Sequence, residues 1–400
     1  MPLIGILLAD LSERDLQALV DNAVPESRML DYKRDLPGRN PEAKRELAAD
    51  VSAFANATGG HLLFGVEENE GVATNIVGVE VSDADDEALR LDQTIRAGVD
   101  PRIFGLTIRY VPLSSGRFVF VVEVPRSLVQ PHMVTTDKHD RFYIRHSTGK
   151  DRMTVAEIRA AVTLAQAASE RVTEYRSQRL IEIQEGRAGA RFEPGAVTVL
   201  HLMPLSMFDP GSGVDVSRIE RGAGGLMPLA SSGLNYRYNF DGFVAYTSSG
   251  NGPVDSYVQV FRNGAIEAAT MRFTSWSENT MGGGRGLGTV STEYLEREVS
   301  RGVSRYLRAL DGFGIQGPVL IGLSLLGAQG YVILRGNSSF IPGQEIDRER
   351  LVMPLVLTEK LGLEVPQAAR VLRPSFDAIW NAGGYPGSQS FNEAGDWRGS

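Results

Sequence analysis

The chain contains no cysteine. That removes thiolate nucleophiles, cysteine-held zinc and disulfides together, and it fits a reducing compartment, so a cytoplasmic protein is expected. Long apolar runs are also missing. None approaches the roughly 20 residues of a membrane-spanning helix. The longest, Gly317 to Leu334, is broken by glycines and Gln329 and reads as one or two buried strands. The opening PLIGILLA meets Asp10 without a basic stretch before it, so neither a signal peptide nor a membrane partner is expected. Basic charge is in deficit, with 41 Lys+Arg against 49 Asp+Glu and a net −8. This balance speaks against a general polyanion binder, yet it permits a local basic groove on an acidic body.

What is present is ordinary globular material. At 42% hydrophobic and 400 residues the chain can bury a real core, and its length corresponds to two or three domains of about 150 residues. Glycine, 44 of 400, points to many tight turns. Ser12 and Asp15 form a capping-box pattern ahead of Leu16, Leu19 and Val20. A strand is expected within Glu26–Asp35. A helix starts at Pro41, with Leu47, Val51, Phe54 and Ala55 on one face, and stops at Gly59-Gly60. HLLFGV and IVGVEV then read as strands, residues 85–97 as an acidic helix, and two further strands join at Ser114–Gly116. RFYIRH is one more short strand, and Thr154 with Glu157 caps a long helix.

Beyond a linker-like 185–195, the pattern alternates on both sides of Asn263-Gly264, a strong hairpin signal. Tyr294 to Leu310 repeats at helical spacing. The fold class is therefore α+β: a mixed sheet with helices, a long connecting helix, and a second α+β domain. The expected divisions are 10–165, a connecting helix at 155–187, a domain of unassigned role at 190–375, and a mobile tail at 383–400.

Two constellations carry chemistry. Glu26, Asp31 and Glu67 sit at strand ends that adjacent strands would bring together, with Lys33 beside them. Three carboxylates and a cation are what a Mg²⁺ or Mn²⁺ phosphodiesterase site needs: hard oxygen ligands, an acidified water and a held phosphate. Acids at strand ends that are simply solvated are the competing explanation. The second constellation is basic: Arg126, Lys138, Arg141, Arg145, Lys150 and Arg152, interleaved with Phe142 and Tyr143. It suits phosphate contact with stacking, or equally a strand with a charged outer face. His132, His139 and His146 lack the helical i, i+4 spacing of a zinc pair. There is no P-loop for ATP, and the glycine-rich Met281–Ser291 reads as a mobile loop. No G-x-S-x-G frames a serine nucleophile.

ESRMLDYKRDL, then KRELAADVSAFANATGGHLLFGVEENEG, then PHMVTTDKHDRFYIRHSTGKDRMTVAEIR resemble the Schlafen/AlbA-like domain over roughly residues 10–165. The resemblance implies a nucleic-acid-binding fold and, as in the animal Schlafen proteins, a metal-dependent endoribonuclease acting on structured RNA such as transfer RNA. RNA is then favoured over DNA, a role in antiphage defence is implied, and Asn56 in FANATGG is expected to serve the glycine turn. The family's metal-binding carboxylates fall on Glu26, Asp31 and Glu67, with Asp31 where Glu is usual and Glu67 where Asp is usual. Lys33 would steady the scissile phosphate, while Arg126, Lys138, Arg141, Tyr143, Arg145, Lys150 and Arg152 would seat the backbone. The animal proteins pair two such lobes, so a homodimer is expected here. The alternative is a non-catalytic DNA- or RNA-binding regulator whose second domain senses a ligand or oligomerises.

Overall fold

A computed structural model describes residues 11–127, 129–136, 140–146, 149–208, 213–219, 226–248, 253–277, 287–315, 318–334, 344–392 and 394–399. The chain divides into two compact units, 1–170 and 171–400. The first contains α1 (Glu13–Asp21), β1 (Leu30–Lys33), α2 (Pro41–Ala55), β2 (Gly60–Phe64), β3 (Val66–Asn69), β4 (Val72–Ile76) and α3 (Ala84–Gly98). Then come β5 (Val99–Asp100), β6 (Thr107–Pro112), β7 (Phe118–Val124), β8 (Met133–Val134), β9 (Arg141–His146), β10 (Gly149–Arg152) and the start of α4 (Val155–Gln184).

A four-stranded mixed sheet in the order β1-β2-β7-β6 organises this unit, with β1 parallel to β2 and the other pairs antiparallel. Alternation along each strand sends side chains to two cores. Leu63, Val119 and Val121 meet Leu16 and Leu19 of α1 on one face. Leu62, Phe120 and Val122 meet Val51 and Phe54 of α2 and Leu91 of α3 on the other. Ser12 N–H donates to Asp15 Oδ2 at 3.0 Å, closing the expected capping box. Asn40 caps α2, accepting from Ala43 N–H at 2.7 Å. A second sheet, β10-β9-β8-β5, packs on α2 through Ala48, Ala49, Val99, Val134 and Tyr143.

The strand expected at IVGVEV is displaced. Its place in the chain is taken by β4, Val72–Ile76, which pairs with β3 across a turn where Glu70 and Gly71 both have positive φ. Gly78, at φ +61°, interrupts the apolar run, and only Val79 bridges to Phe118.

The second unit contains the rest of α4, β11 (Val197–Pro204), β12 (Asn235–Tyr238), β13 (Gly242–Ser248), β14 (Val254–Phe261), β15 (Ile266–Thr270), β16 (Thr274–Ser277) and β17 (Leu287–Ser291). They are followed by α5 (Thr292–Gly312), β18 (Val319–Leu326), β19 (Tyr331–Leu334), β20 (Arg350–Val352), β21 (Val356–Thr358) and α6 (Val365–Ala382). Its main sheet runs β12-β13-β14-β15-β11-β18-β20, with β21 also on β18. Leu200 and Leu202 of β11 face the core made with α5 and α6, where Leu295, Leu307, Phe376 and Trp380 are buried. Val199 and Met203 face the other way, toward Leu180, Ile183 and Val172 of α4. The second half of α4 is thus part of a packed core and not a free connector.

On that same face Glu267 is fully buried. It accepts from Arg179 Nε and Nη2 at 2.9 Å each and from Tyr257 O–H at 2.7 Å, and His201 Nε2 lies 3.0 Å away. The expected mobile tail is fastened: Phe391 is buried, its ring 5.2 Å from that of Trp397, which also meets Phe376 at 6.3 Å. Asp396 also pairs with Arg370, and Ser388 N–H donates to Asp377 Oδ1 at 2.8 Å.

Gly59 shows how tightly the first unit is drawn together. Its φ is +74°, and a Cβ there would lie 2.6 Å from Arg126 N and 2.7 Å from Val124 O. Gly116, at φ +79°, has nothing within 4 Å. Gly59→Ala is expected to cost about 1–3 kcal/mol through backbone strain plus a further penalty for the clash, whereas Gly116→Ala carries the strain alone. Urea midpoints at unchanged slope measure both; equal losses would show that the close approach at Gly59 is unimportant.

Candidate functional site

Asp31 lies in the middle of β1, paired with Leu62, and is almost fully buried. Burial of a carboxylate demands partners, and it has two cations. Arg145 Nη2 donates to Oδ1 at 3.0 Å, and Lys33 Nζ stands 3.0 Å from Oδ2. Arg145 is itself buried, donating also to Ser27 O (3.1 Å) and Leu30 O (3.3 Å), and its guanidinium lies 4.6 Å from the centre of the Phe54 ring. Burial raises the Asp31 carboxyl, but Lys33, a hydrogen bond from Glu26 and Arg145 outweigh it and hold the group below the ordinary range.

Glu26 is the counterpart. Its Oε1 accepts from Tyr32 N–H at 3.0 Å, and its carboxyl also hydrogen-bonds Asp31. Burial first, and then the proton shared with ionised Asp31, push its pKa up to about 7. The two acids therefore meet as a carboxyl and a carboxylate. Glu67 does not join them: Arg34 Nη1 lies 3.4 Å from its Oε1.

The charges continue along α2. Lys150 Nζ donates to Glu46 Oε1 (2.5 Å) and Asp50 Oδ1 (2.7 Å), and burial raises Asp50. Glu46 and Asp50, four apart on one helical face, escaped notice in the sequence, although that spacing was the available signal. Asn56 does not serve the glycine turn. Its Nδ2 donates to His132 O (2.9 Å) and Tyr143 O (2.8 Å) and its Oδ1 accepts from His132 N–H (2.7 Å), clamping β8 and β9 to α2.

The basic constellation divides in the same way. Arg141, Tyr143 and Arg145 share one side of β9, opposite Arg152 and Lys150 of β10. That side faces α2, so Arg145 and Lys150 are consumed internally and Tyr143 is half-buried. Arg126, Arg141 and Arg152 remain exposed, while Lys138 and most of the glycine-rich 281–291 lie outside the described residues.

A divalent cation does not fit these carboxylates as they stand. Both Asp31 oxygens face a cation, Glu26 is raised to about 7 beside ionised Asp31, and Glu67 faces Arg34. Among the described residues no three His, Asp or Glu side chains form a ligand group. Likewise, no described helix is long and apolar enough to cross a membrane.

Residues 26–154 match the family model for Schlafen, AlbA_2. A search of curated proteins finds no match. Among solved structures, the DIP2311 protein from Corynebacterium diphtheriae is similar at 22% identity, with a TM-score of 0.27, covering 36% of this chain and 27% of its own. The N-terminal domain of an ATP-dependent DNA helicase RecG-related protein from Nitrosomonas europaea is similar at 19% identity and a TM-score of 0.26, over 36% of this chain and 94% of that domain.

Two substitutions test the ion array. Arg145→Ala leaves buried Asp31 with Lys33 alone and is expected to cost about 3–5 kcal/mol of unfolding free energy. Glu26, raised from 4.5 to about 7, binds its proton more tightly when folded. It therefore subtracts stability as pH climbs from about 4.5 to about 7, and the deficit is constant above that. Glu26→Gln should match wild type near pH 4.5 and exceed it at pH 8, by on the order of 1 kcal/mol once solvent screening at this half-exposed group is allowed for. Parallel pH–stability curves for the two proteins would refute the shared proton.

Proposed function

We propose that the N-terminal unit binds nucleic acid through its exposed cations and that the chain acts as a non-catalytic regulator. Residues 26–154 match the Schlafen, AlbA_2 family, which supports a nucleic-acid-related function. The observation that favours this reading over a metal-dependent endoribonuclease is the pairing of Asp31 with Lys33 and Arg145, one cation beside each oxygen. A metal in that place would have to displace Lys33 and Arg145 from Asp31. The sensing role of the second unit is supported by a cavity of about 810 Å³ walled by Glu185, Arg191, Phe192 and Glu193 among others, a size that suits a small ligand.

Fluorescence anisotropy of the full chain with labelled RNA hairpins and DNA duplexes tests the reading. Binding should weaken steeply with salt and ignore EDTA. In parallel, transfer RNA incubated with the protein and Mn²⁺ should remain intact. Cleavage that EDTA and Glu26→Ala both abolish would establish the nuclease instead, and the absence of salt-sensitive binding would sink the proposal.

A further inference from the structure

A second cavity, of about 550 Å³, lies in the N-terminal unit, away from the Asp31 array. Arg39 and Lys44 flank the capped start of α2, Arg90 and Thr94 come from α3, and Thr135 and Thr136 follow β8. Among the described residues no carboxylate lines it, in a chain whose net charge is −8. Arg90 is fixed in place, bonding Glu87 and donating to Pro37 O at 3.0 Å. Arg39 and Lys44 are exposed, and among the described residues neither has an ion-pair partner. Thr136 packs over Gly98, where a Cβ would come within 2.5 Å of its Oγ1, so the threonine hydroxyls sit against a close-packed floor.

Such a wall presents two uncompensated positive charges and the hydroxyls of Thr135 and Thr136, while the Thr94 hydroxyl donates to Arg90 O at 2.8 Å. That is the chemistry of an anion site. Among the described residues Ala97 is the only apolar side chain lining it, and none of them offers an aromatic ring on which a base would stack. The complementary group is therefore the phosphodiester backbone and not a nucleobase.

We infer that this cavity, and not the β9–β10 face, grips the backbone of the nucleic acid that the N-terminal unit binds; the inference rests on the nucleic-acid reading above. The geometry explains why the more conspicuous basic stretch is a poor grip, since its two central cations are spent on Asp31, Asp50 and Glu46.

The test compares full-length wild type, Arg39→Gln/Lys44→Gln and Arg141→Gln/Arg152→Gln by anisotropy with labelled RNA and DNA oligonucleotides. Salt is varied from about 50 to about 200 mM. All four side chains are exposed, and unchanged urea midpoints would confirm intact folding. The first pair of substitutions should weaken binding on the order of 10- to 100-fold near 0.1 M salt and flatten the log–log salt slope by about 1.4–1.8. The second pair should alter neither by a comparable amount. If wild type binds and the loss appears only with Arg141→Gln/Arg152→Gln, this inference is overturned while the nucleic-acid reading stands. If wild type itself fails to bind RNA and DNA, the reading beneath it fails.

Discussion

The buried pair of Arg145 and Asp31 is the constraint on which the N-terminal unit turns. A guanidinium removed from water costs several kcal/mol unless its donors are matched. Here Nε and Nη2 find Ser27 O, Leu30 O and the Asp31 carboxylate, while the flat face lies on Phe54. Because Arg145 belongs to β9 and its partners to the approach and body of β1, the ion pair joins the second sheet to the edge of the first. Asn56 makes the neighbouring tie by clamping β8 and β9. Phe54, Asn56 and Gly59, the recognisable core of the family motif, are thus explained by packing, capping and a close backbone pass before any chemistry is invoked.

The same economy of charge lets an acidic chain carry a locally cationic surface. Binding responds to the field within about a Debye length, roughly 8–10 Å at physiological salt, and not to the total. Many acids of this unit are absorbed internally: Asp31 by Lys33 and Arg145, Asp50 and Glu46 by Lys150, Glu87 by Arg90. A cavity lined with cations, and among the described residues with no carboxylate, can therefore persist on a body of net negative charge.

Local signals made much of this fold legible. The period of Leu47, Val51 and Phe54, the Asn263-Gly264 turn and the Thr154–Glu157 cap each depend on neighbours in the chain, and each formed where expected. The strand expected at IVGVEV does not form there because the Glu70-Gly71 turn sets the hairpin earlier, at Val72–Ile76. The site was less legible for a different reason. Whether the odd positions of β9 face solvent or α2 is decided by tertiary packing, and both orientations share the same alternation. Arg39, Lys44, Thr135 and Thr136 are distant in sequence and form no motif, so only the fold brings them to one cavity.

Two carboxylates show why a perturbed acid alone does not mark a catalytic centre. Burial works against ionisation of both Glu267 and Glu26. For Glu267 it is overcome by hydrogen bonds and charge from His201 and Arg179, which bring the group down to about 2 in a closed interior. For Glu26 the near neighbour is another acid, and the group rises to about 7. The difference follows from what each one faces. Lys33 and Arg145 keep Asp31 ionised; ionised Asp31 then keeps a proton on Glu26. A divalent ion entering this arrangement would have to expel that proton and separate Asp31 from both cations, while Glu67 stayed with Arg34. Arg145 would then be left buried without its carboxylate. The interaction that holds β9 to β1 is therefore the one that makes these acids unsuited, as placed, to a metal.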